Sequence, residues 1–314
     1  MVARVARVVA VIGLVLGCGG RPVPTSAPEA SIEVAAAPAA PPRPPALSEE
    51  SIVADLTWLT EPARRGRGSR SPEARDVARW IERELTAAGY APIIQPIDQV
   101  PGQVNVIAVH GATATGATVV VSAHYDHLGE IDGVVYPGAD DNASGVAVAL
   151  AVARDVAARR AITGRVVFVF TGAEEIGLYG AIAYADAPVH PLAETRLVIN
   201  LDMVGRRLFE SALDKDAALG VIGLDGDLAT TAAEIGVTAG LELMTATPGM
   251  VRLIGQDWRS DDWVFRDRGM RAVHLSTGLH DDYHRATDSL DRLSRAQLVK
   301  IARFLDELVI ATAK

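Results

Sequence analysis

Cysteine is almost missing from this chain. Cys18 is the only one, so no intramolecular disulfide can form and packing must hold the fold. Positive charge is also short. The net charge is -9, and a chain without a basic surplus lacks the field that displaces counterions from phosphates. That excludes a general nucleic-acid binder and leaves peptides, sugars and other small molecules open. The apolar run over 8–16 falls short of the about 20 residues a membrane span requires. No segment repeats another, and the His-Glu-x-x-His pattern of helical zinc proteases does not occur, which removes a thermolysin-like mechanism.

What the amino terminus does contain reads as an export signal over 1–18. Arg4 and Arg7 precede the apolar run, which ends in Gly17-Cys18-Gly19-Gly20. The string Val15-Leu16-Gly17-Cys18 resembles a bacterial lipobox, whose cysteine is acylated and becomes the mature amino terminus. This implies export and a lipid anchor at Cys18, expected on the periplasmic side of the outer membrane. Residues 19–46 are rich in proline and alanine, including Pro38, Pro41, Pro42, Pro44 and Pro45. Such a stretch buries too little apolar area to offset its ordering entropy and serves as a semi-rigid spacer. The folded part is expected over 47–314 as one α/β domain.

Within it, amphipathic helices are expected over 49–59 and 72–88. The second has Val77, Ile81 and Leu85 on one face, a Ser71 cap before Pro72, and a stop at Gly89. Strands are expected over 92–97, 104–109, 118–123, 165–170, 196–201 and 271–275, and helices over 143–158, 228–235 and 294–311, the last behind a Ser294 cap. The Val/Ile/Phe runs do not alternate, as expected of central strands covered on both faces. The fold class is therefore α/β: a three-layer sandwich with a mixed, mostly parallel central sheet and helices on both faces. The segment 207–255 is the expected source of pocket walls.

Four of the strand runs lead at once into metal-type residues. They are His124-Tyr125-Asp126-His127, Glu174-Glu175, Asp202, and the stretch from His280 to His284. A fifth cluster, Asp140-Asp141-Asn142, opens the helix at 143. In open α/β sheets the ligand site lies outside the carboxyl ends of the strands. Any one cluster could be a salt-bridged pair, a solvated loop or a cap; together at strand ends they point to a metal centre. Imidazole and carboxylate without thiolate suit zinc, and cobalt or manganese could occupy the same donors. The inventory is too large for one ion, which takes three protein ligands and water, and suits two ions about 3.5–4 Å apart sharing a carboxylate.

These pieces resemble the bacterial leucyl aminopeptidase family of di-zinc exopeptidases, which also holds glutamate carboxypeptidase and glutaminyl cyclase. The match includes Gly66-Arg67-Gly68-Ser69, Ala123-His124-Tyr125-Asp126, Gly138-Ala139-Asp140-Asp141-Asn142, Gly172-Ala173-Glu174-Glu175-Ile176-Gly177, Asn200-Leu201-Asp202-Met203 and Asp282-Tyr283-His284-Arg285-Ala286-Thr287-Asp288. The resemblance implies two Zn2+ ions per chain bridged by Asp141, one also held by His124 and Asp202, the other by Glu175 and His284. It implies Glu174 as general base toward a metal-bridging hydroxide, Asp126 as the acid that orients His124, and Tyr283 as a group polarising the substrate carbonyl. The implied substrates are peptides with a free amino terminus. Glutaminyl cyclase-type acyl transfer and carboxypeptidase-like hydrolysis are the alternatives on the same fold. A non-catalytic binding module, as in the transferrin receptor, would have lost ligands that are all present here. Ser260-Asp261 also resembles the family pattern, but Asp262 stands where a His usually follows.

Overall fold

A computed structural model describes residues 44–159, 162–253 and 259–314, the side chains of 251–253 excepted. The expected export signal over 1–18, with Cys18, and nearly all of the 19–46 spacer lie outside the described residues. No helix among the described residues is long and apolar enough to cross a membrane.

Eight strands form the central sheet. In chain order they are β1 (Ile93–Pro96), β2 (Val104–His110), β3 (Thr118–His124), β6 (Arg165–Thr171), β7 (Thr195–Leu201), β8 (Ala218–Ile222), β9 (Glu242–Ala246) and β10 (Ala272–Ser276). The short hairpin β4 (Gly129–Ile131) and β5 (Val134–Tyr136) stands apart. The spatial order is β1-β2-β6-β3-β7-β10-β8-β9. The middle four, β6, β3, β7 and β10, run parallel, whereas the β1–β2, β2–β6 and β10–β8 pairings are antiparallel. The four strands that lead into metal-type residues are therefore four consecutive parallel strands. Their carboxyl ends share one edge of the sheet.

The lack of alternation in these strands has its physical reason in the two covered faces. Val119, Val121, Val166, Phe168, Phe170, Leu197 and Ile199 pack into one cluster with helices α1 (Glu49–Thr60), α2 (Pro72–Ala87), α3 (Gly145–Ala158) and α8 (Arg295–Thr312). Val120, Val167, Val169 and Val198 point the other way, into a cluster with α4 (Tyr179–Asp186) and α7 (Asp261–Asp267). Neighbouring residues thus serve opposite layers, and both must be apolar. Inside the first layer, the largely covered side chain of Arg154 of α3 donates to Asp55 of α1 at 2.5 and 3.0 Å and to Glu84 of α2 at 2.7 Å, tying three helices together.

Helix α2 follows its sequence signals. Ser71 Oγ accepts from the Ala74 amide, Pro72 opens the first turn, and Gly89 takes φ +97° beyond the end. Ser294 behaves differently from expectation. Its hydroxyl makes no cap to α8; its main-chain N–H donates instead to the Gly205 carbonyl at 2.8 Å, docking this helix start on the loop after β7. The segment 207–255 contributes β8, α5 (Gly226–Ala239), β9 and α6 (Pro248–Leu253), which extend one side of the sheet.

Candidate metal centre

The loop that carries Asp141 is irregular, so its polar backbone groups need partners from outside any ladder. Asp288 supplies two oxygens, accepting from the Asp140 amide at 3.1 and 3.0 Å and from the Asp141 amide at 3.1 Å. Asp140 Oδ1 accepts from the Gly205 amide at 2.6 Å, and its Oδ2 lies 3.2 Å from His280 Nε2. Asn142 donates to the Leu201 carbonyl at 2.8 Å, and Ser144 donates to the Asp140 carbonyl. On the preceding side, the guanidinium of the fully buried Arg67 donates to the carbonyls of Leu59, Tyr125, Pro137 and Gly138. Gly66 and Gly138 are required here. Both have positive φ, and a Cβ on either would stand 2.2 Å from a neighbouring carbonyl oxygen.

Held this way, Asp141 turns its two oxygens to different partners. Oδ1 lies 3.5 Å from His124 Nε2, which is itself 3.4 Å from Asp202 Oδ1. Oδ2 lies 3.2 Å from His284 Nε2, which is 3.3 Å from Glu175 Oε2. Ligands bound tetrahedrally at about 2.0–2.1 Å stand roughly 3.3 Å from one another. Both sets match that edge length, and their donors are the imidazoles and carboxylates that zinc takes. The residues present therefore fit a metal ion in each set.

His127 closes the run of metal-type residues after β3. Its ring is fully buried, with Nδ1 2.7 Å from Glu175 Oε1 and 3.6 Å from Asp141 Oδ2, so it too could join Asp141 and Glu175 in a metal set. The 2.7 Å separation is that of a charge-assisted hydrogen bond and shorter than a ligand edge. His127 is better placed as the donor that fixes Glu175. Burial works against the Glu175 anion, but the hydrogen bonds from His127 and His284 outweigh it and hold the carboxyl below its usual range.

Asp126 differs from its expected part. The Nδ1 of His124 lies 3.1 Å from the main-chain oxygen of Asp126 and 3.9 Å from its carboxylate, so the carbonyl orients the ring. The carboxylate points instead at the turn after β6. It accepts from Ser69 Oγ at 2.5 Å and from the amides of Glu174 and Glu175 at 3.1 and 3.4 Å. Thus Asp126 fixes the backbone that presents both glutamates.

Glu174 lines the pocket over the centre and belongs to neither metal-ready set. Burial, then repulsion from Asp202, Asp261 and Glu175, raises its pKa well above the ordinary value, against the pull of His124. Tyr283 lines the same pocket with its ring stacked on His284 at 3.8 Å. Burial and the surrounding carboxylates raise its hydroxyl pKa. The other wall comes from Met203, Arg259, Ser260, His274, Ser276 and Leu279. Among the described residues none of the wall comes from 207–255, correcting that expectation; strand β10 and the turn before α7 supply it instead. Asp262 faces away into a pairing with Arg266 and with His274 Nδ1, the latter at 3.1 Å. Asp261 accepts from Thr171 Oγ1 at 2.5 Å, and burial pushes its carboxyl up to about 7.

A three-layer α/β domain with two adjoining imidazole–carboxylate sets at the carboxyl ends of its parallel strands has the architecture of a metallopeptidase. The sequence profile of peptidase family M28 matches residues 105–309, and the chain belongs to that family. Aminopeptidase YwaD of Bacillus subtilis is 29% identical over 209 residues, which cover 62% of this chain and 41% of the relative. A probable lipoprotein aminopeptidase of Mycobacterium tuberculosis, LpqL, is 35% identical over 101 residues, covering 32% of this chain and 19% of the relative. This chain therefore spans less than half the length of these relatives. The LapA aminopeptidase of Legionella pneumophila shares the fold, with TM-score 0.72 at 19% identity over 86% of this chain and 74% of that one.

Replacing His127 with Ala removes the donor to Glu175. Zinc retention at the set containing Glu175 should weaken about 10- to 100-fold, measured as metal content after equilibration against graded chelator. Retention equal to that of the parent protein would remove this role.

Proposed function

We propose that this chain is a zinc-dependent aminopeptidase that removes amino-terminal residues from peptides with two metal ions sharing Asp141. His124 and Asp202 complete one site, and Glu175 and His284 complete the other. The observation that carries this reading is the division of Asp141, whose Oδ1 and Oδ2 each face a separate set at ligand-edge distances. Membership of family M28 and similarity to named aminopeptidases support the reaction class.

Bound together, two such ions lower the pKa of water and polarise a substrate carbonyl. The remaining chemistry falls to the side chains. Glu174, beside both sets and bound to neither, takes a proton from the attacking water and returns it to the leaving amine. Its reach is set by the Asp126 carboxylate, which holds the amides of residues 174 and 175. Tyr283 lines the pocket, and its hydroxyl is the group assigned to stabilise charge developing on the carbonyl oxygen. Carboxylates lining the pocket favour a cationic α-amino group and hence attack at the first peptide bond.

Hydrolysis of aminoacyl-anilides, with none of N-blocked controls, is the expected pattern; cleavage of blocked peptides alone would overturn the aminopeptidase reading. Replacing Glu174 with Gln should leave about two zinc ions per chain and lower kcat by about 100-fold or more. An unaltered kcat would end its role as base. Replacing Asp141 with Asn should lower metal content together with rate, and two fully occupied sites in that variant would contradict the bridge.

The lipobox-like string at Cys18 and the similarity to LpqL support anchoring in the cell envelope. Intact-mass analysis of the mature protein should find acyl chains on Cys18; an unmodified Cys18 would dismiss the anchor.

A further inference from the structure

The pocket over the metal ligands carries one charge that the proposed hydrolysis does not use. Arg259 is solvent-exposed yet lines the pocket shared by His124, Asp141, Glu174, Glu175 and Asp202. Its guanidinium lies 4.7 Å from the ring centroid of Trp263, and among the described residues no carboxylate pairs with it. A cation stacked on an indole is held in place while its hydrogen-bonding edge stays available. Asp262, three residues on, does not cancel this charge, because it pairs with Arg266 and His274.

The pocket is lined by four carboxylates, those of Asp141, Glu174, Glu175 and Asp202. Three of them, Asp141, Glu175 and Asp202, belong to the two metal-ready sets, and Arg259 is the one guanidinium among the described residues that line the pocket, so it is the group left to meet an anion of the substrate. The rest of the pocket lining is mixed: Ser260, His274 and Ser276 are polar, while Met203 and Leu279 are apolar. A wall of this composition suits a short polar group better than a large aliphatic one.

We infer that Arg259 is a specificity-determining residue that binds a carboxylate of the substrate, within the aminopeptidase reading above. Two sources bring a carboxylate near the scissile bond: the side chain of an amino-terminal Glu or Asp, and the terminal carboxylate of a dipeptide. A guanidinium meets a carboxylate through paired N–H donors, which a neutral amide of the same shape cannot replace.

The test compares isosteric pairs on the zinc-loaded protein. Glutamyl-anilide is set against glutaminyl-anilide, and Leu-Ala with a free carboxyl terminus against its amide. In at least one pair the acid should exceed its neutral partner about 10- to 100-fold in kcat/KM, chiefly through KM. In Arg259→Gln that ratio should fall toward one, and the pair that responds identifies the source of the carboxylate. Acid and neutral partners cleaved alike in both pairs would overturn the inference while leaving the aminopeptidase reading intact. Should no anilide or dipeptide be cleaved, the aminopeptidase reading fails, and calorimetry still decides the carboxylate site without turnover. L-glutamate should bind more tightly than L-glutamine, or L-leucine than L-leucinamide, in the parent protein and not in Arg259→Gln. Equal binding within both pairs would sink the proposal.

Discussion

Asp141 is a carboxylate 3% exposed, set among Glu174, Glu175 and Asp202, where burial and like charge both oppose its ionisation. Its surroundings decide whether it can present two oxygens in two directions. The loop from 139 to 144 has neither a helical nor a strand ladder at Asp141, where φ is -103° and ψ is 93°. Fixing it falls to side chains remote in sequence. Asp288 receives two amides from 148 and 147 residues away, Asn142 reaches the end of β7, and Gly205 closes on Asp140. These contacts turn a segment with little regular structure into a rigid mount. Without it the two sets of donors would not both face Asp141.

A second circle of contacts repeats this logic at the glutamates. Asp126 leaves β3 and grips the main chain of residues 174 and 175, while His127, the next residue, grips the Glu175 side chain. One strand end therefore sets three things: the His124 ring through a carbonyl, the turn after β6 through a carboxylate, and one ligand oxygen through an imidazole. Parallel pairing of β3 with β6 makes this possible, because it places His124 beside Thr171. Metal-ligand partners of this kind usually govern affinity nearly as strongly as the ligands themselves.

Much of this was legible before any coordinates. The apolar runs marked the central strands, and the chemistry-bearing residues stood directly after four of them, which is enough to expect one shared site. Other features depend on directions that sequence does not encode. Asp126 stands two residues from His124, and that spacing suits a carboxylate–imidazole pair; the backbone instead turns its carbonyl to the ring. Ser294 has the residue type of a cap, but docking on Gly205 took its place. The sequence points to 207–255 for the pocket wall, but among the described residues none of it lines the pocket. That segment folds into short strands and helices beside the sheet, while His274 on an expected strand and Arg259 and Ser260, which no expected element covered, line the pocket.

Arg67 shows how the molecule keeps an acid-rich centre folded. Its guanidinium is fully buried and meets four carbonyl oxygens, drawn from α1, the strand end after β3 and the loop before Asp141. Burial lowers its pKa to about 10, against the opposing pull of Asp141, Asp288, Asp126 and Glu175, so the charge survives at neutral pH. A planar fork with several donors can hold three separate segments at once, whereas an ammonium on a flexible stem is a compact point charge. Arg67 therefore contributes twice. It satisfies carbonyls that the irregular loops leave without partners, and it places a permanent positive charge behind the carboxylates.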